Sequence, residues 1–133
     1  MGSDVTAALR RSVIERAQGK CEYCGLHQDF SIYTHEIDHT IATKHGGRTV
    51  LENLALACLA CNRHKGSDLT SFDPQTGEVT RLFNPRSQVW SEHFVIDRGR
   101  IRDLTVIGRT TVALLKFNTP TAVLNRQILQ QNE

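Results

Sequence analysis

The chain has 133 residues, a formal net charge of +2 and 39% hydrophobic residues. This length suits one domain with a modest core, and no run of residues has the length and apolarity of a membrane span. The small net charge excludes a strongly basic protein, so binding to a polyanion would depend on local clusters of lysine and arginine.

The first predicted element is an amphipathic helix near the N-terminus. Apolar residues recur at four-residue intervals in the order Val5, Leu9, Val13 and Ala17. Gly19 then stands where helices commonly end. The sequence therefore predicts one helix immediately before the first cysteine.

Two Cys-x-x-Cys pairs contain every cysteine of the chain: Cys21 with Cys24, and Cys58 with Cys61. Each pair puts two thiolates on one tight turn, and two pairs supply the four sulfur ligands of a tetrahedral Zn²⁺ ion. Because no coordination position remains for a substrate, the zinc is predicted to be structural. The alternative is two disulfides or four buried free thiols. The chain begins without an apolar secretory run, which favours a reducing, cytoplasmic setting and metal ligation.

The segment between the cysteine pairs predicts a strand, a loop and a second strand. The stretch from Phe30 to His39 is rich in β-branched and aromatic residues and is expected to run as a strand into the site. Lys44 to Asn53 is expected to be an irregular loop, and Leu54 to Ala57 is apolar and of strand length. The second cysteine pair then opens a helix from about Leu59 to Lys65, which stops near Gly66.

The second half of the chain predicts a turn, a hairpin and two helices. Asp73 to Glu78 forms the turn, and the hairpin runs from Phe94 to Thr105 about Asp97-Arg98-Gly99. The helices lie around Thr110 to Phe117 and Thr121 to Gln131. Their apolar residues are expected in the core, namely Leu114, Leu115, Val123, Leu124, Ile128 and Leu129.

Four polar residues between and beside the cysteine pairs are suited to chemistry. If a helix carrying Asn62 packs across the strand that ends at His39, Asp38 and Asn62 can offer oxygen ligands to a hard ion such as Mg²⁺ or Mn²⁺. Near neutral pH the imidazole of His39 can take a proton from an attacking water. Asn53 can accept a hydrogen bond from the other ring nitrogen and fix the tautomer. Alternatively, Asn53 only shapes a turn, and Asn62 only caps a helix.

These residues and spacings resemble the HNH endonucleases, also called ββα-metal or His-Me finger nucleases, in a zinc-stapled form. The resemblance covers Cys21 to about Asp68. It rests on the cysteine pairs and on three motifs, which are Glu36-Ile37-Asp38-His39, Glu52-Asn53-Leu54 and Asn62-Arg63-His64-Lys65-Gly66.

The resemblance implies a role for each polar residue of the site. His39 would be the general base, Asn53 would orient it, and Asp38 with Asn62 would hold the divalent ion at the scissile phosphate. Family members leave 5′-phosphate and 3′-hydroxyl ends. Asn62 stands where the family often has histidine, which leaves His64 as a rival ligand or phosphate contact.

The fold expected from these observations is α+β, with residues 1–133 as a single nuclease domain. A small ββα-metal core at about residues 20–68 would be stapled by the four-cysteine zinc site and preceded by the N-terminal helix. Residues from about 69 to 133 would form a C-terminal extension of a hairpin and helices.

The expected partner is nucleic acid, and double-stranded DNA is the partner expected first, although the sequence does not distinguish DNA from RNA. Candidate phosphate contacts are Arg63, His64 and Lys65 after the second cysteine pair, and Lys44 and Arg48 in the preceding loop. Arg98, Arg100 and Arg102 form a third basic cluster, which on one strand would share a face. Such clusters are more often ordinary solvated surface than phosphate contacts.

Two other functions fit the same residues. A non-catalytic zinc module that binds nucleic acid or protein would use the cysteines and the basic clusters, but would not need an Asp-His pair with two placed amides. A zinc-dependent hydrolase of another phosphodiester is the third hypothesis. A homodimer is one way in which a chain of this size could cut both strands, but the sequence shows no clear dimer face.

Overall fold

The computed structural model describes residues 4–131, which form two compact units. The first unit contains the chain up to Asp68 together with Asn84–Ser87, and the second contains Leu69–Phe83 and the chain from Gln88 onward. The predicted α+β class is confirmed, because the described residues form helices and three two-stranded antiparallel sheets. Whether the two units act together as one nuclease domain stays a prediction.

The helices and strands are numbered here in chain order. The helices are α1 (Ala7–Ala17), α2 (Leu59–Lys65), α3 (Val106–Leu115) and α4 (Pro120–Gln131). The strands are β1 (Glu36–His39), β2 (Leu54–Ala57), β3 (Thr70–Phe72), β4 (Val79–Arg81), β5 (Phe94–Asp97) and β6 (Arg100–Asp103). None of the helices that the structure describes combines the length and apolarity that crossing a membrane requires.

Helix α1 provides the apolar support for the sheet of the first unit. It begins where the hydroxyl of Thr6 accepts a hydrogen bond from the main-chain N–H of Leu9, and it ends at Gln18 in the left-handed conformation. Val13 is fully buried and packs with Leu54 and Leu56 of β2. The predicted helix and its core-facing side are therefore confirmed.

Strands β1 and β2 form an antiparallel pair that places the candidate site residues. Asp38 lies opposite Ala55, and His39 lies opposite Leu54 at the end of β1. All four residues of β2 are buried, so this strand has a fixed position between the elements that pack on it. Helix α2 packs on both strands of the pair. Together these elements form the predicted ββα arrangement.

The predicted strand from Phe30 to His39 is wrong over most of its length, since only its last four residues are β1. Side chains satisfy the main chain before β1 and remove the need for a strand partner. The amide of Gln28 donates to the carbonyl of Tyr33 and accepts from the N–H of His35, and the hydroxyl of Ser31 also binds Tyr33. Such local side-chain bonds compete with strand pairing.

The second unit contains two hairpins, a cluster of aromatic side chains and two helices. Arg98 and Gly99 both have positive φ, the backbone conformation of a tight two-residue hairpin turn between β5 and β6. The ring of Phe94 lies 5.3 Å from that of Phe83 and 5.6 Å from that of Phe117, measured between centroids. The positive φ angles and the pairing of β5 with β6 confirm the hairpin where it was predicted.

Three predictions for the second unit need correction. Helix α3 begins at Val106, four residues earlier than predicted, because Thr105 caps it by accepting from the N–H of Gly108. On α4, Leu124 is 54% exposed and Ile128 is 45% exposed, so neither is in the core. The buried residue of α4 is Arg126, whose guanidinium binds the main-chain carbonyls of Gly99 and Phe117.

Candidate active site

The four cysteines converge in one buried cluster. Their sulfur atoms lie within 4.8 Å of one another, and none forms a disulfide. The sulfurs of Cys24 and Cys58 are 3.6 Å apart. Tetrahedral zinc with Zn–S bonds of about 2.3 Å would separate its ligands by roughly 3.8 Å. The cluster is therefore consistent with the predicted zinc site.

Local hydrogen bonds within each pair also suit thiolate ligands. The main-chain N–H of Cys24 donates to the sulfur of Cys21 at 3.4 Å, and that of Cys61 donates to the sulfur of Cys58 at the same distance. Contact with Cys21 raises the pKa of Cys24 and of Cys61 and lowers that of Cys58. Four adjacent thiolates need a cation to be charged together, and Zn²⁺ matches both their softness and their number.

One face of β1 carries two carboxylates toward α2. Alternation along the strand puts Glu36 and Asp38 on the same side. Asn62 and Lys65 are three residues apart on α2 and therefore neighbours on that helix. The amide nitrogen of Asn62 donates to Glu36 at 2.7 Å, and the ammonium of Lys65 lies 3.2 Å from Asp38. The predicted packing of Asn62 against the strand before His39 is thus present.

Asp38 is 4% exposed and lies between two donors. Its Oδ2 accepts a hydrogen bond from the phenol of Tyr23 at 2.6 Å and faces Lys65 at 3.2 Å. Its Oδ1 has a longer contact of 3.4 Å with the same ammonium. Burial raises the pKa of Asp38, and the charge of Lys65 opposes this shift. Burial also raises the pKa of Tyr23 well above its ordinary value.

His39 ends β1 and is half-buried. Its Nε2 shares a hydrogen bond of 2.9 Å with the hydroxyl of Thr49. Thr49 was not among the predicted site residues, because a lone threonine in a loop has no distinguishing sequence pattern. The structure thus pairs the candidate base with a hydroxyl ten residues later in the chain.

Asn53 binds the loop that follows β1. Its amide nitrogen donates to the carbonyls of Ile41 and Arg48, and its amide oxygen accepts from Ile41 N–H and from the hydroxyl of Thr40. Its main-chain carbonyl accepts from Thr40 N–H. Among the described residues, then, the recorded partners of Asn53 are loop atoms and not the imidazole of His39. The orienting role of Asn53 stays a prediction, and its observed bonds close the loop that carries Thr49.

The basic residues differ in their exposure. Lys44 and Arg48 lie at the surface of that loop. The side chain of Arg63 is 68% exposed, with its guanidinium 3.7 Å from Glu36, and His64 is half-buried. Lys65 was expected to contact nucleic acid, but the structure buries it. It is 3% exposed, and its ammonium is directed to Asp38 and to the carbonyls of His39 and Thr40.

The oxygen atoms on this face decide whether it suits a hard divalent ion. The amide nitrogen of Asn62 donates to Glu36, so the amide oxygen is the Asn62 atom that would bind the ion. Asp38 uses Oδ2 in its two shorter contacts, so Oδ1 is its available oxygen. One carboxylate and one amide oxygen are the donor types that Mg²⁺ and Mn²⁺ prefer. The residues fit an ion of this class.

Comparison with known proteins gives one match. Residues 21–68 match the family model described as HNH endonuclease, which spans the four cysteines, both strands of the first sheet and α2. No curated protein and no solved structure matches the chain significantly.

Proposed function

We propose that this protein is a metal-dependent endonuclease, because residues 21–68 match the HNH endonuclease family model. It would hydrolyse phosphodiester bonds of nucleic acid, double-stranded DNA above all, and leave 5′-phosphate and 3′-hydroxyl ends. One observation carries the proposal beyond the family match. The Asp38-His39 pair ends a strand that faces Asn62 across the α2 interface, in the segment that the family model covers.

His39 is the proposed general base. A base must have an unprotonated nitrogen, and the hydrogen bond at Nε2 engages one of the two ring nitrogens. In the tautomer where Nε2–H donates to Thr49, the lone pair of Nδ1 can accept the proton of an attacking water. Asn53 supports this geometry through the loop that it closes.

Asp38 and Asn62 are the proposed holders of Mg²⁺ or Mn²⁺. When bound, such an ion polarises the phosphate and neutralises the charge that develops on the leaving oxygen. The chain's own contribution is to fix two oxygen atoms on facing elements. The four cysteines contribute no open coordination position, so their zinc would stabilise the fold and take no part in the chemistry.

Lys44, Arg48, Arg63 and His64 are the proposed contacts to the nucleic-acid backbone. Their side chains are exposed or half-buried and lie within the matched segment. Phosphate contacts of this kind position a substrate without reading its sequence. Their contribution should weaken steeply as salt increases.

A non-catalytic zinc module is the second candidate function. It is favoured by the burial of Asp38 between Tyr23 and Lys65, since a carboxylate held this way also serves a purely structural purpose. Such a module would bind nucleic acid through the exposed basic residues and leave the backbone intact.

The two functions are separated by a nicking assay on supercoiled plasmid with Mg²⁺ or with EDTA. The nuclease should produce open circles with Mg²⁺ and stop at once with EDTA, whereas structural zinc leaves slowly. Ligation of the nicks by a DNA ligase would verify the 5′-phosphate and 3′-hydroxyl ends. Plasmid that remains supercoiled at every Mg²⁺ and Mn²⁺ concentration, with zinc-loaded protein bound to it, would favour the binding module.

A further inference from the structure

Both groups that hold Asp38 belong to the segments that carry the cysteines. Tyr23 lies between Cys21 and Cys24, and it is 1% exposed. Lys65 follows Cys61 by four residues on α2, which places the two on the same side of the helix. The zinc cluster therefore fixes the main chain on both sides of the Asp38 carboxylate.

The contact from Tyr23 is short and directional. Its phenol donates to Oδ2 of Asp38 at 2.6 Å, the distance expected of a hydrogen bond to an ionised carboxylate. Both side chains are buried, so water does not compete for either atom. This bond restricts rotation of the carboxylate about its own axis.

The ammonium of Lys65 completes the arrangement. It lies 3.2 Å from Oδ2 of Asp38 and 3.4 Å from the main-chain carbonyls of His39 and Thr40. A lysine ammonium has three donors and no acceptor, which matches one carboxylate and two carbonyls. Lys65 thus holds the end of β1, including the residue proposed as the base.

We propose that Tyr23 and Lys65 are positioning residues that hold the carboxylate of Asp38 and so link the four-cysteine cluster to the divalent-ion site. This inference rests on the proposed function, because it takes Asp38 as a ligand of the ion. Tyr23 and Lys65 make their shorter contacts to Oδ2, whereas Oδ1 has a longer contact of 3.4 Å to Lys65. Oδ1 would therefore be the oxygen offered to the ion, and the segments that carry the cysteines would determine that choice. Partners behind a metal ligand commonly change metal affinity by about 10- to 100-fold when they are removed.

The test measures Mn²⁺ binding to zinc-loaded protein by the loss of the electron paramagnetic resonance signal of free Mn²⁺. Tyr23→Phe removes one hydroxyl and should weaken Mn²⁺ binding about 10- to 100-fold, with one zinc per chain retained. Tyr33→Phe is the matched control. Its side chain is exposed, and its recorded hydrogen bonds use main-chain atoms, so Mn²⁺ affinity should not change.

A second pair of variants covers the case in which Tyr23→Phe loses zinc or unfolds. Lys65→Arg keeps the charge but replaces a compact ammonium by a planar guanidinium, and it should also weaken Mn²⁺ binding. Lys20→Arg at the surface is its control. Wild-type Mn²⁺ affinity in folded, zinc-loaded Tyr23→Phe or, failing that variant, in Lys65→Arg would overturn the inference.

The readout also separates this inference from the nuclease proposal. Mn²⁺ binding needs no substrate and no cleavage. Wild-type protein that nicks plasmid but binds Mn²⁺ equally well as Asp38→Asn would overturn the inference and leave the nuclease intact. Wild-type protein that binds Mn²⁺ through Asp38, with the expected loss in Tyr23→Phe, would support the inference even if no plasmid is cut.

Discussion

The Nε2 atom of His39 lies 2.9 Å from the hydroxyl of Thr49, in the loop that joins β1 to β2. If His39 is the general base, a hydrogen bond at Nε2 leaves Nδ1 as the nitrogen that can accept a proton. Under the proposed function, Thr49 would therefore help to fix the orientation of His39.

Thr49→Val should lower the plasmid-nicking rate about fivefold at pH 7, because one neutral hydrogen bond contributes about 1 kcal/mol. Thr49→Ser keeps the hydroxyl and should restore most of the rate. Thr43→Val, at an exposed position of the same loop, serves as the control. Equal rates in Thr49→Val and wild type would remove Thr49 from the mechanism.

His39→Ala should reduce nicking by a factor of about 100 to 10,000, the range usual for a positioned general base. Zinc content and thermal stability should stay close to those of wild type, since the side-chain hydrogen bond of His39 is made to Thr49 and not to a cysteine. His45→Ala replaces an exposed histidine in the same segment and should nick at the wild-type rate. A His39→Ala protein that is as active as wild type would contradict the proposed chemistry.

Cys58→Ser should lose zinc and much of the fold. A structural zinc site contributes an apparent binding energy on the order of 10 kcal/mol, which is comparable to the whole unfolding free energy of a typical domain. Elemental analysis and circular dichroism measure the two effects. Purified wild-type protein that is folded and carries less than about half an equivalent of zinc would argue against the site.

Sequence patterns predicted the parts of the fold that depend on local chemistry. The spacing of the four cysteines indicates a metal site, and the apolar repeat indicates helix α1. The turn residues Arg98 and Gly99 indicate the hairpin. The patterns failed where long-range packing decides. The exposure of Leu124 and the burial of Arg126 on α4 depend on which side of the helix meets the hairpin, and a helical repeat alone does not choose that side.

The candidate site shows the same division. The motif placed Asp38 and Asn62 on facing elements, as the structure has them. It did not distinguish Lys65 from its neighbours Arg63 and His64, because three basic residues in a row look alike in sequence. Helix geometry turns Lys65 inward to Asp38 and leaves Arg63 at the surface.

Lys65→Ala should therefore affect mainly the unfolding free energy, and Arg63→Ala mainly the affinity for DNA. Removing Lys65 leaves the carboxylate of Asp38 buried without its charge partner, and losses of about 3–5 kcal/mol in unfolding free energy are typical of such changes. Arg63→Ala should leave stability nearly unchanged and weaken DNA binding at low salt. Urea unfolding and fluorescence anisotropy measure the two quantities. Equal stability in the two variants would show that the Lys65 contact contributes little.

Asp73 and Arg109 form an ion pair in the second unit. The guanidinium donates to both carboxylate oxygens at 2.7 Å, and the hydroxyl of Thr76 also donates to Asp73. The hydrogen bond from Arg109 is the main reason that the pKa of Asp73 lies far below its ordinary value. A carboxyl with a lowered pKa in the folded state stabilises the fold above its unfolded pKa of about 3.9, and this contribution is lost as the pH falls further.

Asp73→Asn should consequently destabilise the protein at pH 6, and the difference from wild type should shrink as the pH falls to about 3. The measurement is the urea midpoint of both proteins across this range. Asp97→Asn is the matched control, since its ion pair with Arg102 is largely exposed and should contribute little at either pH. A stability difference between Asp73→Asn and wild type that does not change with pH would mean that the charge of Asp73 is not what stabilises the fold.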